Sequence, residues 1–437
     1  MNQSKYVAVI QAGGKGTRMI ELTHDEIPKP MLLLNEKPMI QWQIENVAKY
    51  GITEFVIIIG HLGEKIKEFF GDGGDFGVSI NYIEEKEPLG SAGALYYLNQ
   101  MYMDRDYLLI FGDVMFCLNW NRMISFHEEH NAEATLLAHP NAHPYDSDLL
   151  IIDADDEVTG IDSKNNKRDY WYDNCVNAGI YILSGEFVDT INELKKTDLE
   201  KDLISPLMGS GKIFGYVTPE YVKDAGTPER FRSAETEQAA GVWEAKCLEN
   251  KQKCIFLDRD GTVNKLNGLV SKEDQFELET KAAEAIKLIN KSGYLAIVVT
   301  NQPVVARGLC EIEDVKNIHK KMVSLLGNEG AYLDDIVFCP HHPDKGYPEE
   351  NPLYKIPCNC RKPKTGMIDA MVEKYNIDRS NSFMVGDTTM DIQTGINAGL
   401  KTVLVQTGEA GQDKKYDVKA DYIAEDILAA VKQIIGV

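Results

Sequence analysis

No run of about 18 apolar residues, the length a membrane-spanning helix needs, occurs in the chain. The first residues, MNQSKYVAVIQAGG, have neither the apolar length nor the small-residue cleavage pattern of a secretory signal. Positive charge is scarce: 46 Lys and Arg face 68 Asp and Glu, a formal charge of −22. Such a chain repels nucleic-acid backbones and anionic membrane surfaces, and neither is an expected partner. Small anionic substrates stay compatible wherever Lys, Arg, backbone amides or Mg²⁺ reverse the sign locally. The expectation is a cytoplasmic protein, in which the thiols of its eight cysteines stay reduced or bind metal. Cys117, Cys175, Cys247, Cys254 and Cys310 are scattered and read as core filling. Assembly into a homo-oligomer is left open.

The length of 437 residues predicts two or three units, at one per roughly 100 to 200 residues. Apolar residues make up 43% and charged residues 26%, the usage of an ordinary folded chain. Short β-rich runs alternate with helical patterns: YVAVI (6–10), EFVIII (54–59), YLLIF (107–111), CIFL (254–257), YLAIVV (294–299) and SFMV (382–385). This rhythm predicts parallel α/β architecture, with chemistry at the carboxyl ends of the strands, where most runs give way to Gly, Asp, Thr or Asn. Thr227 and Pro228 suit a helix start, and the weakly β-forming stretch that follows separates two strand series. The expected domains are 1–248 and 249–437, and the unlike residues after their first strands exclude a repeat.

In QAGGKGTRM (11–19), Gly13, Gly14 and Gly16 allow a tight bend that aims N–H groups at an anion, and Lys15 and Arg18 add charge. Met19 stands where a dinucleotide fingerprint needs its third glycine, and no GK[ST] of a Walker loop follows. A ligand-free glycine turn is the bland alternative. IPKPML (27–32) holds Lys29 between two prolines, EKEPLGSAGAL (85–95) adds a second glycine turn containing Gly90, and Asp113 and Asp224 follow at FGD and KDAG. Two carboxylates can share one Mg²⁺ while cations and backbone amides hold a triphosphate, the equipment for nucleotidyl transfer without a covalent intermediate. Residues 6–235 resemble the sugar-phosphate nucleotidyltransferase family, which has a GT-A-like, Rossmann-like fold. The resemblance implies phosphate binding by Gly13, Gly14, Gly16, Arg18 and Lys29, Mg²⁺ binding by Asp113 and Asp224, and sugar binding by Asn177 and Gly179. It implies a sugar-phosphate contact for Lys164, although Ser163 replaces the acidic partner that precedes this lysine in the family. EEKEPLGSAGAL looks more like the guanylyl-transferring than the thymidylyl-transferring branch, which implies GTP.

FLDRDGTVN (256–264) places Asp258 and Asp260 at a strand end, where both can reach one phosphate as nucleophile and proton donor. A solvated acidic turn or a calcium loop are the alternatives, but Gly261, Thr262 and Val263 offer no further side-chain cluster of calcium ligands. With Thr300 and Asn301, then Lys362, then Asp387 and Asp391, this series resembles the haloacid dehalogenase (HAD) phosphatase family over residues 253–425. The resemblance implies an aspartyl phosphate at Asp258, acid and base work by Asp260, phosphate binding by Thr300 and Lys362, and Mg²⁺ held by Asp258, the Asp260 carbonyl and Asp387. Asp391 reads as a supporting residue, and the segment between Lys362 and Asp387 leaves no room for a large cap. Cys339, His341, Cys358 and Cys360 form a soft donor set suited to structural Zn²⁺, with His342 as substitute for His341 and a redox disulfide as the alternative. Such a clip pins the loop that delivers Arg361 and Lys362.

A zinc loop running into CRKP resembles the capless subgroup of heptose 1,7-bisphosphate and histidinol phosphatases. Its length and ARG (306–308) favour the former, and leave Arg307 for a distal phosphate. Pro303, Val304 and Val305 depart from the Ser-Gly-Ile of that pattern. The two unlike Rossmann-like domains together imply consecutive steps on D-glycero-D-manno-heptose 1,7-bisphosphate: loss of the C7 phosphate, then transfer of GMP from GTP to the 1-phosphate, releasing pyrophosphate. Mg²⁺ serves both sites in this reading. Two alternatives remain: the same reactions on another sugar phosphate and nucleotide, or a histidinol-phosphate type phosphatase with a nucleotide-sugar-sensing first domain.

Overall fold

The computed structural model describes residues 3–344, 346 and 349–437. They form two compact units. The first comprises Met1–His139, Asp148–Ser163 and Cys175–Cys247; the second comprises Pro140–Ser147, Lys164–Asn174 and Leu248–Val437. The main break thus falls between Cys247 and Leu248, while two short upstream stretches group with the second unit.

In the first unit β1 (Tyr6–Ala12), α1 (Met39–Ala48), β2 (Glu54–Ile59), α2 (Gly63–Phe70), β3 (Ser79–Glu84) and β4 (Asp106–Phe111) follow one another. The four strands are parallel, with β1 between β2 and β4 and β3 beyond β2. Their apolar runs are nearly continuous at β1, β2 and β4 because both sheet faces are covered: Tyr6, Ala8 and Ile10 join one apolar cluster, and Val7 and Val9 another. Next come β5 (Val114–Cys117), α3 (Trp120–Glu129), β6 (Ala134–His139), β7 (Leu149–Ile152), β8 (Val158–Asp162), β9 (Val176–Leu183), β10 (Ile213–Val217), β11 (Tyr221–Asp224) and α4 (Pro228–Ala239). The path through the sheet is β8-β7-β9-β4-β1-β2-β3, with β6 pairing both β9 and β10.

This sheet is mixed, where the sequence rhythm predicts a parallel one. β9 runs antiparallel to β4, β6 and β7. A parallel return needs a crossover of a dozen residues or more, usually a helix, and among the described residues 134–183 hold one three-residue 3₁₀ turn and no helix. β5 and β11 form a separate antiparallel ladder that sets Asp224 opposite Val114, beside Asp113.

The second unit has β12 (Lys253–Leu257), α5 (Ala282–Asn290), β13 (Tyr294–Asn301), α6 (Ile312–Asn328), β14 (Asp335–Cys339), α7 (Gly366–Tyr375), β15 (Phe383–Gly386), α8 (Thr389–Ala398), β16 (Lys401–Val405), β17 (Tyr422–Ala424) and α9 (Ile427–Ile435). Its six strands are all parallel, in the order β14-β13-β12-β15-β16-β17. Ile255 and Leu257 enter one core cluster, Cys254 and Phe256 the other. In each sheet the order reverses beside its first strand, at β1/β4 and at β12/β15, and such switch points open a crevice beyond the carboxyl ends of the strands.

Candidate active sites

In the first unit that crevice is a cleft of about 450 Å³. Gly13, Gly14, Gly16, Arg18, Lys29, Gly90 and Asp113 all line it. Lys29 Nζ donates to Asp113 Oδ2 at 2.5 Å. Asp224 accepts from Gly226 N at 2.7 Å and from Arg230 Nη1 at 2.7 Å. Gly226 is the hub of this end of the cleft, since a Cβ there would lie 2.6 Å from Asp224 Oδ1, 3.2 Å from Lys29 Nζ and 3.3 Å from Arg18 Nη2. Two cations and one carboxylate therefore converge on one backbone position that only a glycine leaves open, and Lys29 links Asp113 to them. The strand ladder supplies the register: Ala225 N donates to the Asp113 carbonyl at 2.8 Å. Asp113 lines the cleft, and Asp224, which is not among its lining residues, stands beside it at Gly226; their oxygens are a donor set that fits Mg²⁺ once the lysine ammonium shares Asp113 with it.

Two expected sugar residues lie elsewhere on β9. Asn177 Nδ2 donates to Tyr181 Oη at 3.1 Å, and Tyr181 in turn donates to Glu200, a carboxyl that burial raises above its usual range. Gly179, at φ +72°, lies against Phe111, which lines the cleft. Lys164 groups with the second unit and is not among the residues lining the cleft. Gly226, Arg230, Glu85 and Glu200 were not singled out in the sequence; for Arg230 the signal was present, one turn into the helix that KDAGTP announces.

In the second unit Asp258 follows β12, Thr300 and Asn301 end β13, and Asp387 follows β15. Lys362 Nζ donates to Asp258 Oδ1 at 2.7 Å and to Asp391 Oδ1 at 2.5 Å. Its loop is seated by Asn301, whose Oδ1 accepts from Lys362 N at 3.0 Å. Ligand oxygens of Asp258, Asp387 and Asp391 all lie within 4.8 Å of one another. Burial, and then the Asp391 charge, push the Asp258 carboxyl up to about 7 against the pull of Lys362. Burial beside Asp258 likewise pushes Asp387 up to about 8. Asp387 Oδ2 accepts from Glu409 N at 2.7 Å, whereas Oδ1 is buried with no hydrogen-bond partner. A buried carboxylate oxygen without a donor, beside a second carboxylate, fits a divalent cation.

Asp260 is held differently. Arg259, fully buried, donates from Nη2 to both of its oxygens at 2.9 Å, and Gln302 Nε2 and Asn264 Nδ2 add bonds at 2.8 and 3.1 Å. Burial alone would raise Asp260, but Arg259 and these donors outweigh it and keep the carboxyl below its usual range. Gln302 also donates to Thr300 Oγ1 at 2.9 Å, joining the two residues the sequence identified through one it did not. Behind them, Arg259 Nη1 lies 3.2 Å from His319 Nε2, which must accept and so must be the unprotonated nitrogen.

The third cluster is Cys339, His341, Cys358 and Cys360. Their sulfurs are 3.2 to 3.5 Å apart and His341 Nδ1 is 3.4 Å from Cys360 Sγ. The sulfurs are thus unbonded thiols, a few tenths of an ångström closer than the roughly 3.8 Å edges of a tetrahedron with about 2.3 Å metal–sulfur bonds. His342 is not in this group; its backbone N–H donates to the Tyr354 carbonyl. Arg361 N donates to Cys358 Sγ at 3.4 Å and Arg361 Nη1 to the His341 carbonyl at 3.2 Å, so the cluster leads directly into Lys362. Arg307 buries its Nε. Lys345, Tyr347 and Pro348 of this loop lie outside the described residues.

The Nucleotidyl transferase family profile matches residues 7–241. The chain belongs to the nucleotidyl transferase family. A HAD-hydrolase-like profile matches residues 359–430. Over 188 residues the chain is 40% identical to D-glycero-beta-D-manno-heptose-1,7-bisphosphate 7-phosphatase of Pasteurella multocida (strain Pm70), covering 42% of this chain and 98% of that one. Over 229 residues it is 34% identical to a probable mannose-1-phosphate guanylyltransferase 2 of Oryza sativa subsp. japonica, covering 51% of this chain and 62% of that one. The crystal structure of D,D-heptose 1.7-bisphosphate phosphatase from B. bronchiseptica, complexed with magnesium and phosphate, aligns with 42% of this chain and 99% of its own at 31% identity and TM-score 0.38. The chain is thus an enzyme that joins a nucleotidyltransferase to a HAD-like phosphatase. No helix among the described residues is long and apolar enough to cross a membrane.

His319 generates a pH prediction. Burial, with Arg259 beside it, holds its imidazole down to about 3, so between that value and the unfolded value near 6.5 only the unfolded chain takes up the proton. Its contribution to stability is complete above about pH 6.5 and is lost below it at up to about 1.4 kcal/mol per pH unit. In denaturant melts between pH 7 and 5, His319→Gln, whose amide oxygen can still accept from Arg259, should lose less stability than the parent.

Proposed function

We propose that the second unit removes the C7 phosphate of D-glycero-D-manno-heptose 1,7-bisphosphate and that the first transfers GMP from GTP to the resulting 1-phosphate, giving GDP-heptose and pyrophosphate, in the cytoplasm. The observation that carries this reading is the presence, in one chain, of the Asp258–Lys362–Asp387 cluster and of a cleft at whose end Arg18, Lys29 and Asp224 meet around Gly226, with Asp113 bonded to Lys29. The relatives above supply the substrate class.

In the phosphatase, Asp258 attacks phosphorus to form an aspartyl phosphate as the sugar oxygen leaves; water then attacks the same phosphorus and frees Asp258. Lys362 holds the nucleophile and the incoming phosphate charge, with Thr300, Asn301 and Arg361 around the phosphoryl oxygens and Arg307 toward the distal phosphate. The Arg259 and Gln302 contacts keep Asp260 ionised, ready to take the proton of the attacking water. Donating a proton to the leaving oxygen requires that grip to loosen as substrate enters. Mg²⁺, held by Asp258, the Asp260 carbonyl and Asp387, would supply charge neutralisation at the phosphate.

In the transferase no protein nucleophile is needed. Gly13, Gly14, Gly16 and Gly90 bring backbone against the nucleotide, Arg18 and Lys29 meet the phosphates, and Asn177 and Gly179 are assigned to the sugar. Asp113 and Asp224 would hold Mg²⁺. Zn²⁺ on Cys339, His341, Cys358 and Cys360, with no open position, is structural in this reading.

Asp258→Asn should reduce phosphate release by about 10⁴-fold while pyrophosphate release from supplied heptose 1-phosphate continues, and Asp113→Ala should do the reverse. Loss of both activities in either folded variant would contradict two separate sites. Metal analysis should find one zinc per chain. Cys360→Ser should lower that content and slow phosphate release, with pyrophosphate release unchanged.

A further inference from the structure

His319 is a buried imidazole that no step of the proposed chemistry employs. It sits on α6, 60 residues along the chain from Arg259, with its ring edge-on to Phe338 of β14. Arg259 has no exposed surface, and its fork of donors is divided between two neighbours. Nη2 donates to both Asp260 oxygens at 2.9 Å and Nε to Oδ1 at 3.3 Å, while Nη1 donates to His319 Nε2 at 3.2 Å.

A planar guanidinium engaged at all three nitrogens cannot turn without breaking a bond, so the place of His319 decides the place of Arg259, and Arg259 decides that of Asp260. The kind of acceptor matters as much. A carboxylate at this position would draw the guanidinium charge away from Asp260, whereas an imidazole, kept neutral by burial and by Arg259 itself, accepts one bond and leaves the charge to Asp260. An apolar side chain would strand a buried N–H, and the arginine would recover an acceptor only by leaving its present pose.

We infer that His319 is a positioning residue for the second half of the phosphatase reaction: it fixes the Arg259 guanidinium that aims Asp260 at the attacking water. It acts through Arg259 and not on the substrate. The inference rests on the phosphatase reading above and deepens it. In that half-reaction the water oxygen bonds phosphorus, its proton passes to Asp260, and the bond from phosphorus to Asp258 breaks. The first half, when Asp258 takes phosphate from a phenolate that leaves without a proton, makes no such demand on Asp260.

The test uses the full chain with Mg²⁺ and two substrates, 4-nitrophenyl phosphate and heptose 1,7-bisphosphate, with acid quench and mass spectrometry to count chains that carry phosphate. In His319→Leu the kcat for 4-nitrophenyl phosphate should fall by about 10- to 100-fold, the worth of a hydrogen bond to a charged group. Its kcat/KM, which reports only the steps through phosphoryl transfer to Asp258, should stay within about threefold, so that KM falls with kcat. The phosphorylated fraction should rise with both substrates. His319→Gln, which keeps an acceptor, should recover most of the loss. An equal fall in kcat and kcat/KM, no rise in phosphorylated chain, or His319→Gln as slow as His319→Leu overturns the proposal. Histidine ¹⁵N spectra of the parent, in which His319→Gln identifies the resonance, test it without His319→Leu: an Nε2 that carries a proton overturns it too. A parent that frees phosphate from neither substrate defeats the phosphatase reading first, and this inference with it.

Discussion

The Lys362 ammonium, bonded at once to Asp258 and Asp391, is what lets the second unit gather three carboxylates within 4.8 Å in a buried place. Without that cation, like charges at such range in a weakly polar medium would stay protonated or drive the strand ends apart. Burial would lower Lys362, yet the two aspartates outweigh it and raise the ammonium above its usual range. The same solution recurs wherever the chain collects acid at a strand end: Arg259 grips Asp260, Lys29 meets Asp113, and Arg230 meets Asp224. A chain with net charge −22 thereby presents sites that can receive phosphate. Asp387 Oδ1 is buried with no hydrogen-bond partner, and this is the place where a metal is assigned.

The position of Lys362 depends on a longer chain of supports. Asn301, at the end of β13, bonds both the N–H and the carbonyl of Lys362, while the cysteine cluster holds Arg361 one residue earlier. A loop from β14 to α7 that forms no helix or strand among its described residues is fixed at the residue that matters. This explains why a soft metal site lies beside hard oxygen chemistry: it constrains the backbone and leaves the substrate to the carboxylates and lysine.

Much of this was legible in the residue order. Strand runs such as YVAVI and CIFL are apolar at every position because their sheets are covered on both faces, and runs of that kind announce themselves. The strand-end residues Asp258, Thr300 and Asp387 sit where motif spacing puts them, since each follows directly from a strand. What was hidden is pairing across long sequence distances. Nothing in the neighbourhood of His319 shows that it will face Arg259, 60 residues earlier, and nothing around Glu200 shows Tyr181. The antiparallel course of β9 was hidden too, because apolar content reports burial and not direction. Lys164, read from its neighbours, groups apart from the cleft since its segment, Lys164–Asn174, leaves the first unit.

In the proposed function one chain performs two successive reactions on one sugar. The most direct measurement incubates the protein and Mg²⁺ with D-glycero-D-manno-heptose 1,7-bisphosphate and an equimolar mixture of nucleoside triphosphates, and identifies products by mass spectrometry. The expected products are GDP-heptose, inorganic phosphate and pyrophosphate, with heptose 1-phosphate appearing first. Heptose monophosphate accumulating with no nucleotide sugar, or bisphosphate left untouched, would contradict it.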